Sequence, residues 1–466
     1  MYQINFDHPI HIYFIGIGGI SMSGLAEVLL EKGFTVSGSD LKPSPLTELL
    51  KSKGAKIYYG QKYENLTSDV ELMVYTSAIR KDNPEYTAAQ DLHIPTLTRA
   101  QLLGQMMKNY ETPIAVSGTH GKTTTTSMIS EILLAAGTDP TLSIGGILKT
   151  INGNIRVGHS GYFVTEACEY TNSFLSFYPK IGLILNVEED HLDFFKDIDE
   201  IRESFHRFAM LLPSDGALII NGSIPGIETI TENVACPIIT FGNSRSFDYS
   251  AADITYDERG CASFTLVKNG KETSSYILGV PGEHNVYNAL AAIALSDLLS
   301  INTPVIQNAL SSFRGTDRRF EYKGTVNGIT IIDDYAHHPT EITATLKAAV
   351  NYPHKTLWCV FQPHTYTRTK AFMKEFAKAL SCADQVILAK IYPARETDDL
   401  GISSETLQKE IEALGKTCYY FPDYETIQKF VLKNCMPGDL LITMGAGDVV
   451  KVGENLLKYF LSTLST

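Results

Sequence analysis

The sequence predicts an α/β protein built as three domains, and three observations carry that expectation. Strand-like apolar runs alternate with helical stretches from His11, the alternation restarts after Glu111, and it starts a third time from Ile329. The first two runs each open on a glycine-rich turn set between a strand and a helix. A chain of 466 residues also exceeds one ordinary core, at roughly 100–200 residues per domain. The divisions read from the sequence are 1–110, 111–314 and 315–466.

In the first domain, a strand at His11–Ile15 leads through glycines into a helix at Met22–Lys32 and a strand at Thr35–Ser39. Further alternation runs to Glu71–Thr76, the pattern of a parallel sheet. The segment Asn109–Pro113 breaks this rhythm, and a new strand at Ile114–Val116 opens directly into the second glycine loop and its helix. Strands at Ile181–Leu185 and Leu218–Ile220 extend the second domain. Asp248–Leu278 reads as short antiparallel strands before the helical run Asn285–Ser300, and the domain ends near Arg314. In the third, strands at Ile329–Ile332, Thr356–Phe361, Gln385–Leu388 and Leu440–Thr443 alternate with helices.

Composition removes several classes of function. A net charge of −13 excludes a phosphate-backbone binder, whose affinity comes from clustered Lys and Arg, so no nucleic acid is expected as a partner. No apolar run reaches the roughly 18 residues of a membrane span, and the N-terminus shows no basic region or cleavage site. We expect a cytoplasmic protein with no membrane partner. The seven scattered cysteines form no CxxC pair and read as reduced, packed thiols.

The turn Gly16-Ile17-Gly18-Gly19-Ile20-Ser21 lies between strand and helix, and Asp40 ends the next strand. Glycines let a backbone approach a diphosphate, and the helix N-terminus supplies unpaired N–H groups and partial positive charge. Ser21 stands where a nicotinamide fingerprint prefers Gly or Ala. Three readings follow: a nicotinamide site, a tight packing turn without ligand, or a site for another diphosphate. The third is favoured, with Gly16, Gly18, Gly19, Ser21 and Asp40 as substrate-binding candidates.

The second loop, Ser117-Gly118-Thr119-His120-Gly121-Lys122-Thr123-Thr124, has the strand-to-helix context of a phosphate loop. Successive N–H groups form an anion nest, Lys122 reaches the β and γ phosphates, and the Thr123 hydroxyl suits magnesium. Val116 stands where the common pattern has glycine, so the loop is a variant.

That loop, together with GIGGISMSGLAEVL, EACEYTNSFL, NVEEDH, PGEHNVYNALAAIA, DDYAHHPTEI and FQPHTYTRT, resembles the Mur ligase family over essentially the whole chain. The resemblance implies an N-terminal Rossmann-like domain for a UDP-sugar, a central P-loop ATPase-like domain, and a C-terminal Rossmann-like domain closing over an amino acid. It implies an ATP-dependent amide-forming ligase of peptidoglycan precursor synthesis, with UDP-N-acetylmuramate, L-alanine and ATP as partners and Mg²⁺ as cofactor. Several members carry a carbamylated lysine after the Asp-His pair. None occurs between Ile198 and Gly216, which matches the alanine-adding branch and tells against branches adding D-glutamate or a diamino acid.

The resemblance assigns ATP contacts to Gly118, Thr119, His120, Gly121, Lys122, Thr123, Thr124, His284, Asn285, Asn288, Arg319 and Asp334. It gives Thr123, Glu166 and His191 to the metal, His337, His364 and Arg368 to the amino acid, and catalytic roles to Lys122, His191 and His337. Thr365 occupies a position where some relatives have another arginine. Rival readings are a ligase recycling murein tripeptide onto the same UDP-sugar, a nicotinamide-dependent oxidoreductase, which leaves the phosphate loop unexplained, and a P-loop switch, which leaves the third domain idle.

Overall fold

A computed structural model describes residues 2–76, 79–394, 396–397 and 400–464. The chain forms two compact units, one of Met1–Val187 with Asp199–Ile239, the other of Glu188–Ile198 with Thr240–Thr466.

In the first unit, β1 (His11–Ile15), β2 (Thr35–Asp40), β3 (Lys56–Tyr59), β4 (Leu72–Tyr75) and β5 (Thr96–Thr98) form a parallel sheet in the order β3-β2-β1-β4-β5. Ile12 to Ile15 are fully buried, as expected of a central parallel strand covered on both faces. The helix after the glycine turn runs Ile20–Glu31, two residues earlier than the sequence suggested, because Gly19 takes the N-cap position and the turn itself winds into the helix. The order places the end of β1 between strands that lead away in opposite directions, the switch point where open sheets bind ligands.

The same unit holds β6 (Thr112–Ser117), β7 (Thr141–Leu148), β8 (Gly153–Arg156), β9 (Tyr162–Ala167), β10 (Ile181–Ile184) and β11 (Ala217–Asn221), ordered β11-β10-β6-β9-β7-β8 and parallel except for β8. The phosphate loop joins β6 to the helix Lys122–Ala135. Another helix, Arg99–Met107, lies against the 3-10 segment Tyr170–Ser176 at Gly104, where an added Cβ would stand 1.9 Å from the Ser176 carbonyl oxygen. Only glycine allows so close a backbone approach.

In the second unit, the end of β12 (Ile238–Gly242) pairs with β13 (Tyr249–Tyr256), and β13, β14 (Cys261–Lys268) and β15 (Lys271–Pro281) make an antiparallel meander. Asn269-Gly270 joins β14 to β15 with both residues at positive φ, the hairpin chemistry expected of Asn-Gly. The helix His284–Leu298 follows. Then β16 (Glu321–Val326), β17 (Ile329–Asp334), β18 (Leu357–Phe361), β19 (Gln385–Leu388), β20 (Thr417–Tyr420) and β21 (Leu440–Met444) form a sheet in the order β16-β17-β21-β18-β19-β20. All are parallel except β16. The sequence reading began this sheet at Ile329 and missed β16. Its residues, EYKGTV, are mostly polar and half-exposed, so an edge strand reads as a loop. Two apolar clusters cover this sheet, one around Ile332, Leu346 and Phe376 and the other around Ile331, Val360 and Leu456. Among the described residues no helix is long and apolar enough to cross a membrane.

Candidate active site

The glycine turn is held on β2. Gly16 and Ile17 donate to the Ser39 carbonyl at 2.9 and 3.0 Å, and Gly16 adopts φ +77°. Asp40, at the end of β2, accepts from Gly18 N–H at 2.8 Å with one oxygen and from its neighbour Leu41 with the other. A Cβ at Gly18 would sit 2.7 Å from Asp40 Oδ2, so this glycine is what admits the carboxylate. Gly19 caps the helix without any side-chain acceptor on the first turn, and Ser21 Oγ accepts from Arg99 Nη1 at 3.0 Å.

The phosphate loop is braced from β10. Asn186 accepts from Thr119 N–H with its carbonyl at 3.1 Å and from His120 N–H with Oδ1 at 2.7 Å, while its amide returns a bond to the His120 carbonyl. Gly118 and Gly121 take φ of +140° and +81°, and Gly121 caps the helix with no side-chain acceptor, so N–H donors face the loop. Thr124 follows in the first helical turn. The Lys122 ammonium folds over its own loop, donating to the Gly118 and Thr119 carbonyls and to Glu169 Oε2 at 3.0 Å. Burial alone would lower its pKa. The nearby carboxylate of Glu169, with Cys168 and Glu166, outweighs burial and keeps it well above the ordinary lysine range.

Glu166 ends β9 beside β6, paired with Val116. Its Oε2 accepts from the Thr123 hydroxyl at 3.0 Å, and its other oxygen accepts from Gly145 N–H. A side chain at 145 would collide with this carboxylate. Two hard oxygens, one from β9 and one from the helix Lys122–Ala135, thus converge beside the phosphate nest, a donor set that suits Mg²⁺.

In the second unit Asp334 and His337 stand at the C-terminal end of β17, and His364 and Arg368 follow the C-terminal end of β18. His284, Asn285 and Asn288 start the helix after β15. Asn285 donates to the Pro281 carbonyl at 2.7 Å and accepts from Asn288 at 3.0 Å, and burial lowers His284 to about 4. Arg318 and Arg319, adjacent in sequence, have different employment. Arg318 is fixed by Asp333 at 3.0 Å and by the Gly445 and Gly447 carbonyls at 2.6 and 3.1 Å. Arg319 shares the Tyr335 ring with Arg318, at 5.3 against 4.7 Å, and reaches Glu341 only at 4.0 Å. Asp334 accepts from Phe320 and Ala336 N–H at 2.8 and 2.7 Å, and burial raises its carboxyl to about 6.

His337 Nδ1 faces the Tyr335 carbonyl at 3.0 Å, and a carbonyl requires a donor. Burial lowers this histidine to about 4, so near neutral pH the ring is uncharged, Nδ1 carries the proton and Nε2 presents a lone pair. His364, also lowered to about 4 by burial, stacks on Tyr392 and lies 5.9 Å from the His337 ring. Thr365 Oγ1 caps the helix Tyr366–Ala371, and its φ of 65° with ψ of 147° is a backbone conformation that side chains disfavour.

Arg368 does not stand alone. Its Nε and Nη2 both donate to Asp190 Oδ1, at 3.2 and 2.8 Å, and Nη1 lies 3.5 Å from His364 Nδ1. Burial would raise the Asp190 carboxyl, but Arg368, His191 and His338 hold it well below the usual carboxylate range. His191 adopts φ +53°, and its carbonyl accepts from Phe194 and Phe195 N–H, so a tight turn aims its ring. Sequence reasoning passed over Glu169, Asn186 and Asp190 as partners. All three stood inside quoted motifs, and an acidic residue three places after Glu166 was the available signal for Glu169.

Comparison with known proteins extends these observations along the whole chain. Residues 11–111 match the Mur ligase family catalytic domain, 116–296 the Mur ligase middle domain, and 318–447 the Mur ligase glutamate ligase domain. The chain is 60% identical over 459 residues to a UDP-N-acetylmuramate–L-alanine ligase of Lachnospira eligens, covering 98% of this chain and all of that one. A Clostridium botulinum protein of the same name is 52% identical over 444 residues, with 95% and 96% covered. Among solved structures, the UDP-N-acetylmuramate–alanine ligase of Thermotoga maritima superposes with a TM-score of 0.81 at 30% identity, covering 97% of this chain and all of that one. A murein peptide ligase of Psychrobacter arcticus gives 0.70 at 28%, covering 96% and 98%. With three family domains in order along one chain, and more than half its residues shared with a full-length relative, the chain belongs to the Mur ligase family, whose three-domain α/β fold it adopts.

Proposed function

We propose that this protein joins L-alanine to UDP-N-acetylmuramate with hydrolysis of ATP to ADP and phosphate, in peptidoglycan precursor synthesis. The observation that carries this reading is the 60% identity, end to end, with a UDP-N-acetylmuramate–L-alanine ligase. Its substrates and ATP place its work in the cytoplasm. The UDP-sugar domain is 1–110, the ATP-binding domain 111–314 and the amino-acid domain 315–466, divisions that the family matches at 11–111, 116–296 and 318–447 support.

The chemistry follows from two difficulties. A carboxylate is a poor electrophile, and it becomes a good one when its oxygen attacks the ATP γ-phosphorus and ADP leaves, giving an acyl phosphate. Lys122 and the loop N–H groups stabilise charge on the transferring group. The second difficulty is that an α-amine near neutral pH is mostly protonated. The Nε2 lone pair of His337 accepts a hydrogen bond from that amine and orients it, and Arg368 pairs with the alanine carboxylate beside His364. Once the ammonium has given one proton to solvent, the free amine attacks the acyl carbon, the C–O bond to phosphate breaks, and the second proton leaves nitrogen for His337 Nε2 or the departing phosphate. His284, Asn285, Asn288, Arg319 and Asp334 hold the nucleoside of ATP, and the glycine turn with Ser21 and Asp40 holds the UDP-sugar.

Thr123 and Glu166 are the residues that would hold Mg²⁺, and His191 is a further ligand on this reading. When bound, the ion neutralises charge on the phosphate oxygens. In magnesium titrations, Glu166→Gln should need a higher Mg²⁺ concentration for half-maximal rate as well as turning over more slowly, with His191→Ala measured beside it. An unchanged metal requirement in both variants returns them to structural roles.

ADP release measured with UDP-N-acetylmuramate against a panel of amino acids and murein tripeptide tests the whole reading. We expect L-alanine to be the preferred acceptor, and calorimetry to show binding of the UDP-sugar and none of NAD(H) or NADP(H). Preference for tripeptide would move the protein to the recycling ligases, and tight nicotinamide binding would overturn the first-domain assignment.

A further inference from the structure

Arg99 occupies a position that stability alone does not explain. It is the first residue of the helix Arg99–Met107, where the helix dipole presents partial positive charge and a cation is disfavoured. The side chain is partly buried and makes no ion pair among the described residues. Its guanidinium has one hydrogen bond, to the neutral Ser21 hydroxyl at 3.0 Å. Gly104, four residues on from Ala100, presses this helix onto the segment that follows Glu169. Arg99 therefore stands between the glycine turn and the wall of the phosphate loop, a partly buried cation whose one hydrogen-bond partner among the described residues is neutral. Charges in such surroundings are stabilised by an opposite charge, and here none of the described residues supplies one.

We propose that Arg99 is the cation that receives an anionic group of UDP-N-acetylmuramate, completing a site that the glycine turn alone leaves short of positive charge. This rests on the ligase reading above. Two groups of that substrate offer the required oxygens, the diphosphate and the lactyl carboxylate that is activated. The planar fork of a guanidinium fits either bidentately, and the Ser21 hydroxyl steadies it for that contact.

The test titrates UDP-N-acetylmuramate, and in parallel UDP-N-acetylglucosamine, into the wild-type protein, Arg99→Met and Arg99→Lys, each saturated with a non-hydrolysable ATP analogue. We expect Arg99→Met to bind UDP-N-acetylmuramate at least about tenfold more weakly, the scale of one lost charge-assisted contact, and Arg99→Lys to recover part of the loss. A loss shared by UDP-N-acetylglucosamine assigns Arg99 to the diphosphate, and a loss confined to UDP-N-acetylmuramate assigns it to the carboxylate. Affinity for the ATP analogue should be unchanged, and the melting temperature of the unliganded Arg99→Met protein should not fall, since the variant removes an uncompensated cation. Equal UDP-sugar affinity in wild type and both variants overturns the proposal. So does a loss accompanied by a lower melting temperature and weaker analogue binding, which marks a structural arginine. A wild-type protein that fails to bind UDP-N-acetylmuramate refutes the ligase reading instead.

Discussion

Lys122→Ala should lower turnover by at least about two to three orders of magnitude, the scale for removing a principal electrostatic partner of a transition state. The UDP-sugar should still bind, because the glycine turn does not depend on this lysine. The structure adds a second consequence. Lys122 is paired with Glu169, whose side chain is only 3% exposed, and the alanine variant withdraws the ammonium from that carboxylate. Removing one partner of a buried pair costs more than the pair is worth. The variant should therefore melt at a lower temperature, and Lys122→Ala with Glu169→Gln should regain stability without regaining activity. Steady-state rates and thermal melts on the two proteins separate the effects. Near-normal turnover in the single variant would remove the loop from the chemistry.

Arg368→Lys should raise the KM for L-alanine by roughly tenfold or more, on the order of 1.4 kcal/mol, and leave the KM values for ATP and the UDP-sugar nearly unchanged. A guanidinium pairs with a carboxylate through a planar fork, and an ammonium of equal charge lacks that geometry. In the structure the fork already grips Asp190 Oδ1, so the alanine carboxylate must share or take over a guanidinium that is in use. Thr365 caps a helix and supplies no second cation. Kinetics with each substrate varied in turn check the expectation. A change in ATP and alanine kinetics together would mark Arg368 as a phosphate or structural residue, and an alanine KM that stays put would remove it from the site.

What the sequence made legible was local. Glycines between an apolar strand and a helix announce their own geometry, so both loops could be placed before any coordinates, and the buried strands β1, β6, β17, β18 and β21 stood out as uninterrupted apolar runs. Contacts between distant segments were not legible. Arg99 meets Ser21 across 78 residues, and Arg368 meets Asp190 across 178. No periodicity links such positions, because their meeting depends on sheet order. The same limit hid the division of labour between Arg318 and Arg319, since the two are chemically identical and are distinguished by distant partners, Asp333 and the carbonyls of Gly445 and Gly447 for Arg318. Edge strand β16 was missed for a different reason. One face of an edge strand need not be apolar, so its sequence carries little pattern.

Thr365 has a consequence for how this protein could be altered. A threonine at φ 65° and ψ 147° stores on the order of 1–3 kcal/mol that a relaxed backbone would not. The tension is opposed by bonds on both sides, from Thr365 N–H to the Tyr392 carbonyl and from Thr369 to the Thr365 carbonyl. Those same bonds fix the direction of His364 before the turn and Arg368 after it. Selection for thermal robustness would find an easy gain here, because glycine at this position relieves the tension. Glycine would keep both backbone bonds but give up the Thr365 Oγ1 cap on the helix that carries Arg368, so relief of the backbone and the hold on Arg368 pull against each other at one residue.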